Sequence, residues 1–142
     1  YPMRPSPRDK YNASQMINIL AFIIPCFKCQ KHYMENITKY KPNFDNRENF
    51  FKWTVKIHNI VNKLNNKKIL TVSQAYKLTD NLLNSSKIQK LFLYLRQESN
   101  NYNISRSALI RFIDIITYFN NKIMQQVNNK NTRQDIRFRR QN

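Results

Sequence analysis

None of the 142 residues is glycine. That absence removes two nucleotide-binding architectures at once, because the phosphate-cradling P-loop and the dinucleotide fingerprint both depend on glycine. A nucleotide cofactor would have to be held by side chains and helix packing. What remains is a chain whose apolar residues return at helical spacing, with no strand-like alternation and no internal repeat. The expected fold class is all-α.

Helix boundaries follow from caps and prolines. Ser6-Pro7-Arg8-Asp9 has the form of a helix start, with Ser6 as N-cap, Pro7 at the first position and Asp9 in the first turn. Met16, Ile17, Leu20 and Ile24 form its stripe, widened by Ile19 and Ile23. Pro25 should end this helix at Ile24 and open a second one, which runs to about Tyr40 and is closed by Pro42. Cys26, Cys29, Tyr33, Ile37 and Tyr40 share one face of it, which turns the cysteines inward or into a site. Asp45-Asn46-Arg47-Glu48 caps a third helix carrying Phe50, Trp53, Ile57, Ile60 or Val61, and Leu64. After a turn at 65–68, Thr71 starts a fourth helix with Ala75, Leu78 and Leu82 inside.

Asn84-Ser85-Ser86 breaks the pattern. A fifth helix takes Ile88, Leu91, Phe92 and Leu95 inward, and 97–103 reads as a polar linker. Ser105 or Ser107 caps a long sixth helix whose apolar face holds Leu109, Phe112, Ile113, Ile116, Ile123 and Val127. Three parts result: a helical domain over 1–84, a helical extension over 85–127 and a basic, disordered tail over 128–142.

The chemistry is concentrated in the only two cysteines. A Cys26–Cys29 bridge would close too short a loop to remove much unfolded-chain entropy, so a structural staple is a poor reason for it. One helical turn apart at a helix start, with Lys28, Lys31 and His32 nearby, the pair sits where thiolate is favoured. A reversible disulfide that exchanges with dithiols is the expectation. Two inert core cysteines are the plain alternative. A zinc site is another, from Cys26, Cys29, His32 and His58, although ligands drawn from less than two helical turns surround one ion poorly.

His58 and Asn62 lie four apart on one face of the third helix, beside the apolar stripe. Alone they would carry no functional claim, since a histidine beside such a stripe is usually a core residue. The net charge of +17 suits anionic partners but is spread thinly, except at Arg137-Phe138-Arg139-Arg140, where the tail could bind nucleic acid non-specifically. No apolar run is long enough to cross a bilayer. The sequence opens at Tyr1 rather than methionine and reads as a fragment or a processed form.

Two blocks together have a family signature. Pro25-Cys26-Phe27-Lys28-Cys29-Gln30-Lys31-His32-Tyr33 is followed by Trp53-Thr54-Val55-Lys56-Ile57-His58-Asn59-Ile60-Val61-Asn62-Lys63-Leu64 and then Lys67. In order and spacing they resemble the Erv/ALR family of FAD-linked sulfhydryl oxidases, and the likeness runs from Tyr1 to about Leu82. It implies a four-helix bundle holding FAD, with the family's first helix lying before Tyr1. Cys29 would be the sulfur next to the flavin and Cys26 the outer sulfur attacked by substrate thiolate. His58, Asn59 and Asn62 would meet the adenine and ribose, with Trp53 lining the adenine pocket and Val61 also among the cofactor-binding residues. Lys67, or Lys68 beside it, would meet the phosphates. Electrons would pass from a thiol-containing client protein through the cysteines to FAD and then to molecular oxygen, giving a client disulfide and hydrogen peroxide. The absence of further cysteines and the long extension resemble viral members, such as the baculoviral and nudiviral ones. For a virus, the expected compartments are the infected-cell cytoplasm or nucleus and the virion. The alternative function is a basic helical module that binds nucleic acid or zinc without catalysis. A homodimer is left open.

Overall fold

A computed structural model describes residues 1–80, 90, 93–97 and 104–139. The elements are α1 (Pro7–Leu20), α2 (Phe27–Lys39), α3 (Arg47–Leu64), α4 (Val72–Asp80) and α5 (Arg106–Arg139), with no strand among the described residues. The fold is all-α. The boundary expected between 84 and 85, most of the expected fifth helix, and Leu82 lie outside the described residues.

Local chemistry sets the helix starts. Ser6 and Asp9 form a capping box: the Asp9 amide donates to Ser6 Oγ at 3.3 Å, and the Ser6 amide donates to Asp9 Oδ2 at 2.7 Å. Asn46 caps α3 by accepting from the Asn49 amide at 2.8 Å. Thr71 and Gln74 exchange the equivalent bonds ahead of α4. Ser105 precedes α5 and accepts from the Ala108 amide at 3.3 Å.

Two boundaries differ from expectation. Helix α1 stops at Leu20 instead of Ile24, and α2 starts at Phe27 instead of Pro25. Proline pushes its predecessor out of helical geometry, so the chain uses 21–26 to turn back. At the other end, α5 runs as helix past Val127 to Arg139, through most of the stretch read as a basic tail. Polar composition ended the apolar stripe there, yet the stretch has neither proline nor glycine to break a helix. Residues 140–142 lie outside the described residues.

One core joins the first three helices to the last. Ala13, Ile17, Tyr33, Phe50, Trp53 and Ile57 pack with Ile115 and Phe119 of α5. Tyr33 donates to the Ile17 carbonyl at 2.9 Å, tying α2 to α1, and Trp53 Nε1 donates to the Tyr40 carbonyl at 2.6 Å. Burying these side chains contributes about 1.5–3 kcal/mol each. Helix α5 runs antiparallel to α1. Its start meets the end of α1, where the Ser105 amide donates to the Phe22 carbonyl at 3.2 Å, and its middle meets the start. There Tyr118 donates to Asp9 Oδ1 at 2.8 Å, and Lys122 pairs with Asp9 Oδ2. Asp9 is 0% exposed. The inward face of α5 therefore includes Ile115, Tyr118 and Phe119, none of which was among the apolar positions expected there.

Candidate active site

The turn between α1 and α2 presents the two cysteines. Cys26 is the N-cap of α2, in extended geometry, and its Sγ accepts from the Cys29 amide at 3.2 Å. Cys26 and Cys29 are joined as a disulfide with Cα atoms 5.1 Å apart. Both are exposed, as are Phe27, Lys28 and Lys31 around them. The shared helical face expected from spacing begins properly only at Tyr33, because Cys26 lies outside the helix. The cysteines accordingly face solvent rather than the core. Gln30 braces the turn by donating to the Ile24 carbonyl at 2.7 Å.

Cys29 occupies the third position of α2, inside the first turn. Free amides and the positive end of the helix dipole there favour a thiolate over a thiol. An exposed bridge whose inner sulfur is a good leaving group suits thiol–disulfide exchange. It does not suit zinc. Both sulfurs are joined to each other, and among the described residues no three His, Cys, Asp or Glu side chains converge as a metal set.

The second feature is a cavity of about 230 Å³ between α3 and α4. His58, Asn59 and Asn62 line it from α3 together with Phe51, and Leu78 and Thr79 line it from α4. Phe51 stacks on Tyr76 with ring centroids 3.9 Å apart, holding the two helices together. Leu78, expected inside, is 56% exposed at this cavity because α4 covers α3 only through its Ala75 side.

Two of the expected site residues have a local task as well. Asn59 donates to the Leu70 carbonyl at 2.8 Å and accepts from the Leu70 amide at 3.0 Å. Asn62 donates to the Lys68 carbonyl at 3.1 Å. Together they fasten residues 65–71 along α3. That loop leaves the helix through Asn66, at φ 53°, with Lys67 N–H bonded to the Asn62 carbonyl at 2.8 Å and Asn66 N–H to the Lys63 carbonyl at 3.3 Å. This is a Schellman ending with asparagine where glycine is usual.

His58, Asn59 and Asn62 are thus brought to one cavity. Trp53 lies in the core, stacked on Phe50 at 5.8 Å, while Val61, Lys67 and Lys68 are exposed outside the cavity wall. Neither cysteine lines it. The sequence reading missed Phe51, Thr54 and Thr79 as wall residues. Phe51 and Thr54 could have been found, since they stand seven and four positions before His58 on the same helical face.

Comparison with known proteins bears on the family of the chain. The sequence model of the Erv1 / Alr family matches residues 1–81, which contain both the disulfide and the α3–α4 cavity. A protein of Acanthamoeba polyphaga mimivirus named as a probable FAD-linked sulfhydryl oxidase is 34% identical over 90 residues, covering 61% of this chain and 63% of that protein. An African swine fever virus FAD-linked sulfhydryl oxidase is 39% identical over 70 residues, covering 49% of this chain and 59% of its own. The mitochondrial FAD-linked sulfhydryl oxidase of Saccharomyces cerevisiae is 35% identical over 63 residues, covering 44% and 33%. The chain spans about six-tenths of the length of the viral relatives it matches. With more than half of its residues under the family's model, the chain belongs to the Erv1 / Alr family.

Proposed function

We propose that this chain carries the thiol-oxidising centre of an FAD-linked sulfhydryl oxidase. The observation that supports it most is the exposed Cys26–Cys29 bridge at the start of α2, inside the span matched to the family. A client thiolate attacks the Cys26 sulfur, forming a mixed disulfide and releasing Cys29 as a thiolate at the helix N-terminus. The client's second thiolate then attacks the client sulfur of that mixed bond. Cys26 leaves, and the client departs with a new disulfide and two electrons fewer. Two protons are released in the exchange, one from each client thiol, so the pair is left reduced. An FAD held by His58 and Asn62 would supply the acceptor for those two electrons, with oxygen as the final oxidant and hydrogen peroxide as the product.

The α3–α4 cavity fits one end of such a cofactor. Its volume suits a single heterocycle and is below the roughly 300–1,000 Å³ that holds a whole drug-sized ligand. His58 and Asn62 offer hydrogen bonds at its polar edge, and Phe51, Val55 and Leu78 offer an apolar wall. Asn59 would act mainly by holding the loop. Lys67 and Lys68, exposed just beyond α3, would meet phosphates as point charges. Clients are thiol-bearing proteins and the electron acceptor is oxygen. Among the described residues no helix is long and apolar enough to cross a membrane.

The test uses the protein at its full length. Oxygen uptake with a reduced dithiol is measured beside bound flavin per protein. Turnover should disappear in Cys26→Ser and in Cys29→Ser while flavin stays bound. His58→Ala and Asn62→Ala should retain flavin severalfold less well, in line with about 1 kcal/mol per lost hydrogen bond. Undiminished uptake in both serine variants would refute the proposal.

A further inference from the structure

A second polar cavity, of about 370 Å³, lies between α1 and α5 and has no part in the thiol chemistry. Arg8, Tyr11 and Asn12 line it from α1; Arg111, Asp114 and Tyr118 line it from α5. Asn12 is only 8% exposed, yet its amide makes no hydrogen bond among the described residues. No buried side-chain nitrogen or oxygen among the described residues lacks a partner, so the Asn12 amide keeps its contact with solvent through the cavity and is open to a ligand there. Arg8 lies over the Tyr118 ring at 5.2 Å, and neither arginine has a carboxylate partner among the described residues. Asp114 likewise has no cationic partner among them. The Tyr11 ring is 59% exposed.

We propose that this cavity binds a nucleotide, free or as one unit of a single strand. Each unmatched group then has a counterpart. Two guanidiniums suit phosphate, whose oxygens accept their planar forks of N–H donors. The exposed Tyr11 ring supplies a stacking face for a base, an interaction that tolerates any base because every base has a π-face. The Asn12 amide, both donor and acceptor, suits a base edge. Asp114 decides against a purely anionic occupant such as an acidic peptide. Its carboxylate would repel such a ligand, whereas it can accept from ribose hydroxyls, as recognition of the 2′-hydroxyl requires. The net charge of +17 draws phosphates toward the surface.

The experiment is calorimetric titration of the complete chain with uridine monophosphate, inorganic phosphate and an oligouridylate of about ten nucleotides. Uridine monophosphate shares ribose, phosphate and a pyrimidine ring with FAD, so Arg111→Gln, at the α1–α5 cavity and away from the α3–α4 one, is the variant that separates the two sites. Uridine monophosphate should bind saturably, tighter than about 1 mM. Arg111→Gln should weaken it about tenfold, the change expected from losing a charge-assisted bond, and Asn12→Ala severalfold. Arg111 is exposed and outside the core, so its variant tests the site even if Asn12→Ala fails to fold. Tighter binding of the oligomer, lost in Arg111→Gln but not in the off-site Lys41→Gln, identifies a strand as the source. Equal affinity per site identifies the free nucleotide. Phosphate binding as tightly as uridine monophosphate, no saturable binding, or equal weakening by Lys41→Gln each overturns the proposal.

Discussion

At its first turn α1 is held through one buried carboxylate, which accepts from the Ser6 amide, the Ser6 hydroxyl, Tyr118 and Lys122. At its last turn the same helix opens into residues 21–26, where Phe22, Pro25 and Cys26 are exposed and Gln30 and Ser105 supply single bonds to the backbone. Burial makes Asp9 dependent on every partner, because an ionised group without solvent must be met by the protein. Exposure makes the cysteine bridge reachable, because exchange needs an incoming thiolate in line with a sulfur. The difference teaches that the stability of this chain and its reactivity are kept at opposite ends of one helix.

That separation can be broken from either side. The largest effect belongs to the reactive end: Cys26→Ser or Cys29→Ser should abolish turnover. Each should lower stability by less than about 2 kcal/mol, since so small a closed loop constrains the unfolded chain little. A larger fall in denaturation midpoint would mean that the bridge is also a staple. Next in size, Asp9→Ala should lower stability by roughly 3 kcal/mol or more, removing a cap and leaving a half-buried lysine unpaired. Denaturant unfolding checks it, and an unchanged midpoint would show that the α1–α5 contact does not depend on the carboxylate.

The same carboxylate sharpens the comparison through pH. Burial alone pushes Asp9 up, but bonds from Lys122, Ser6 and Tyr118 outweigh it and hold the group down at about 2, from an ordinary 3.8. A carboxylate with a depressed pKa contributes stability above its unfolded value and loses it as pH falls through the folded one. Between about pH 4 and pH 2 the protein should therefore lose on the order of 2 kcal/mol. The loss should be absent from Asp9→Ala.

The loop along α3 is an intermediate case. Asn59→Ala removes both bonds to Leu70 and should cost about 1–2 kcal/mol, with faster hydrogen exchange at 65–71 as the local readout. Smallest of all, Asn66→Gly should raise stability by about 0.5 kcal/mol, because glycine adopts a positive φ without strain. Unchanged or lower stability would mean that the Asn66 side chain holds the loop in some other way.

Helix starts were legible in the sequence wherever the chemistry was local. Ser6, Asn46, Thr71 and Ser105 bond to amides within three residues, so the pattern alone locates Ser6 and Thr71 and narrows the other two to Asp45–Glu48 and to Ser105 or Ser107. The cysteine pair and the His58–Asn62 face were legible for the same reason, being spacings within one helix. Asp9 was read only as a first-turn acid, because its other partners stand 109 and 113 residues away. Asn59 was read as a ligand contact, and nothing at its position announces that Leu70 would take its amide. The exposure of the cysteines depended on where α2 begins. Pro25 was assigned to the first helical position, two residues before the observed start, and that shift alone moves Cys26 from helix face to cap.

The bond between Asp9 and Lys122 also sets an order of events during synthesis. A ribosome delivers the chain from its first residue, so the capping carboxylate of α1 emerges long before the lysine that neutralises it. Until then Ile115 and Phe119 are missing as well, and the apolar faces of α1 and α3 have no lid. The turn that bears the cysteines takes its Gln30 bond from nearby, but it too draws on the last part of the chain, through Ser105 on the Phe22 carbonyl and through Ile104 and Leu109 packed on Ile23. The helix that bears Cys29 thus emerges while its core is still open, and α5 closes a core that α1 began.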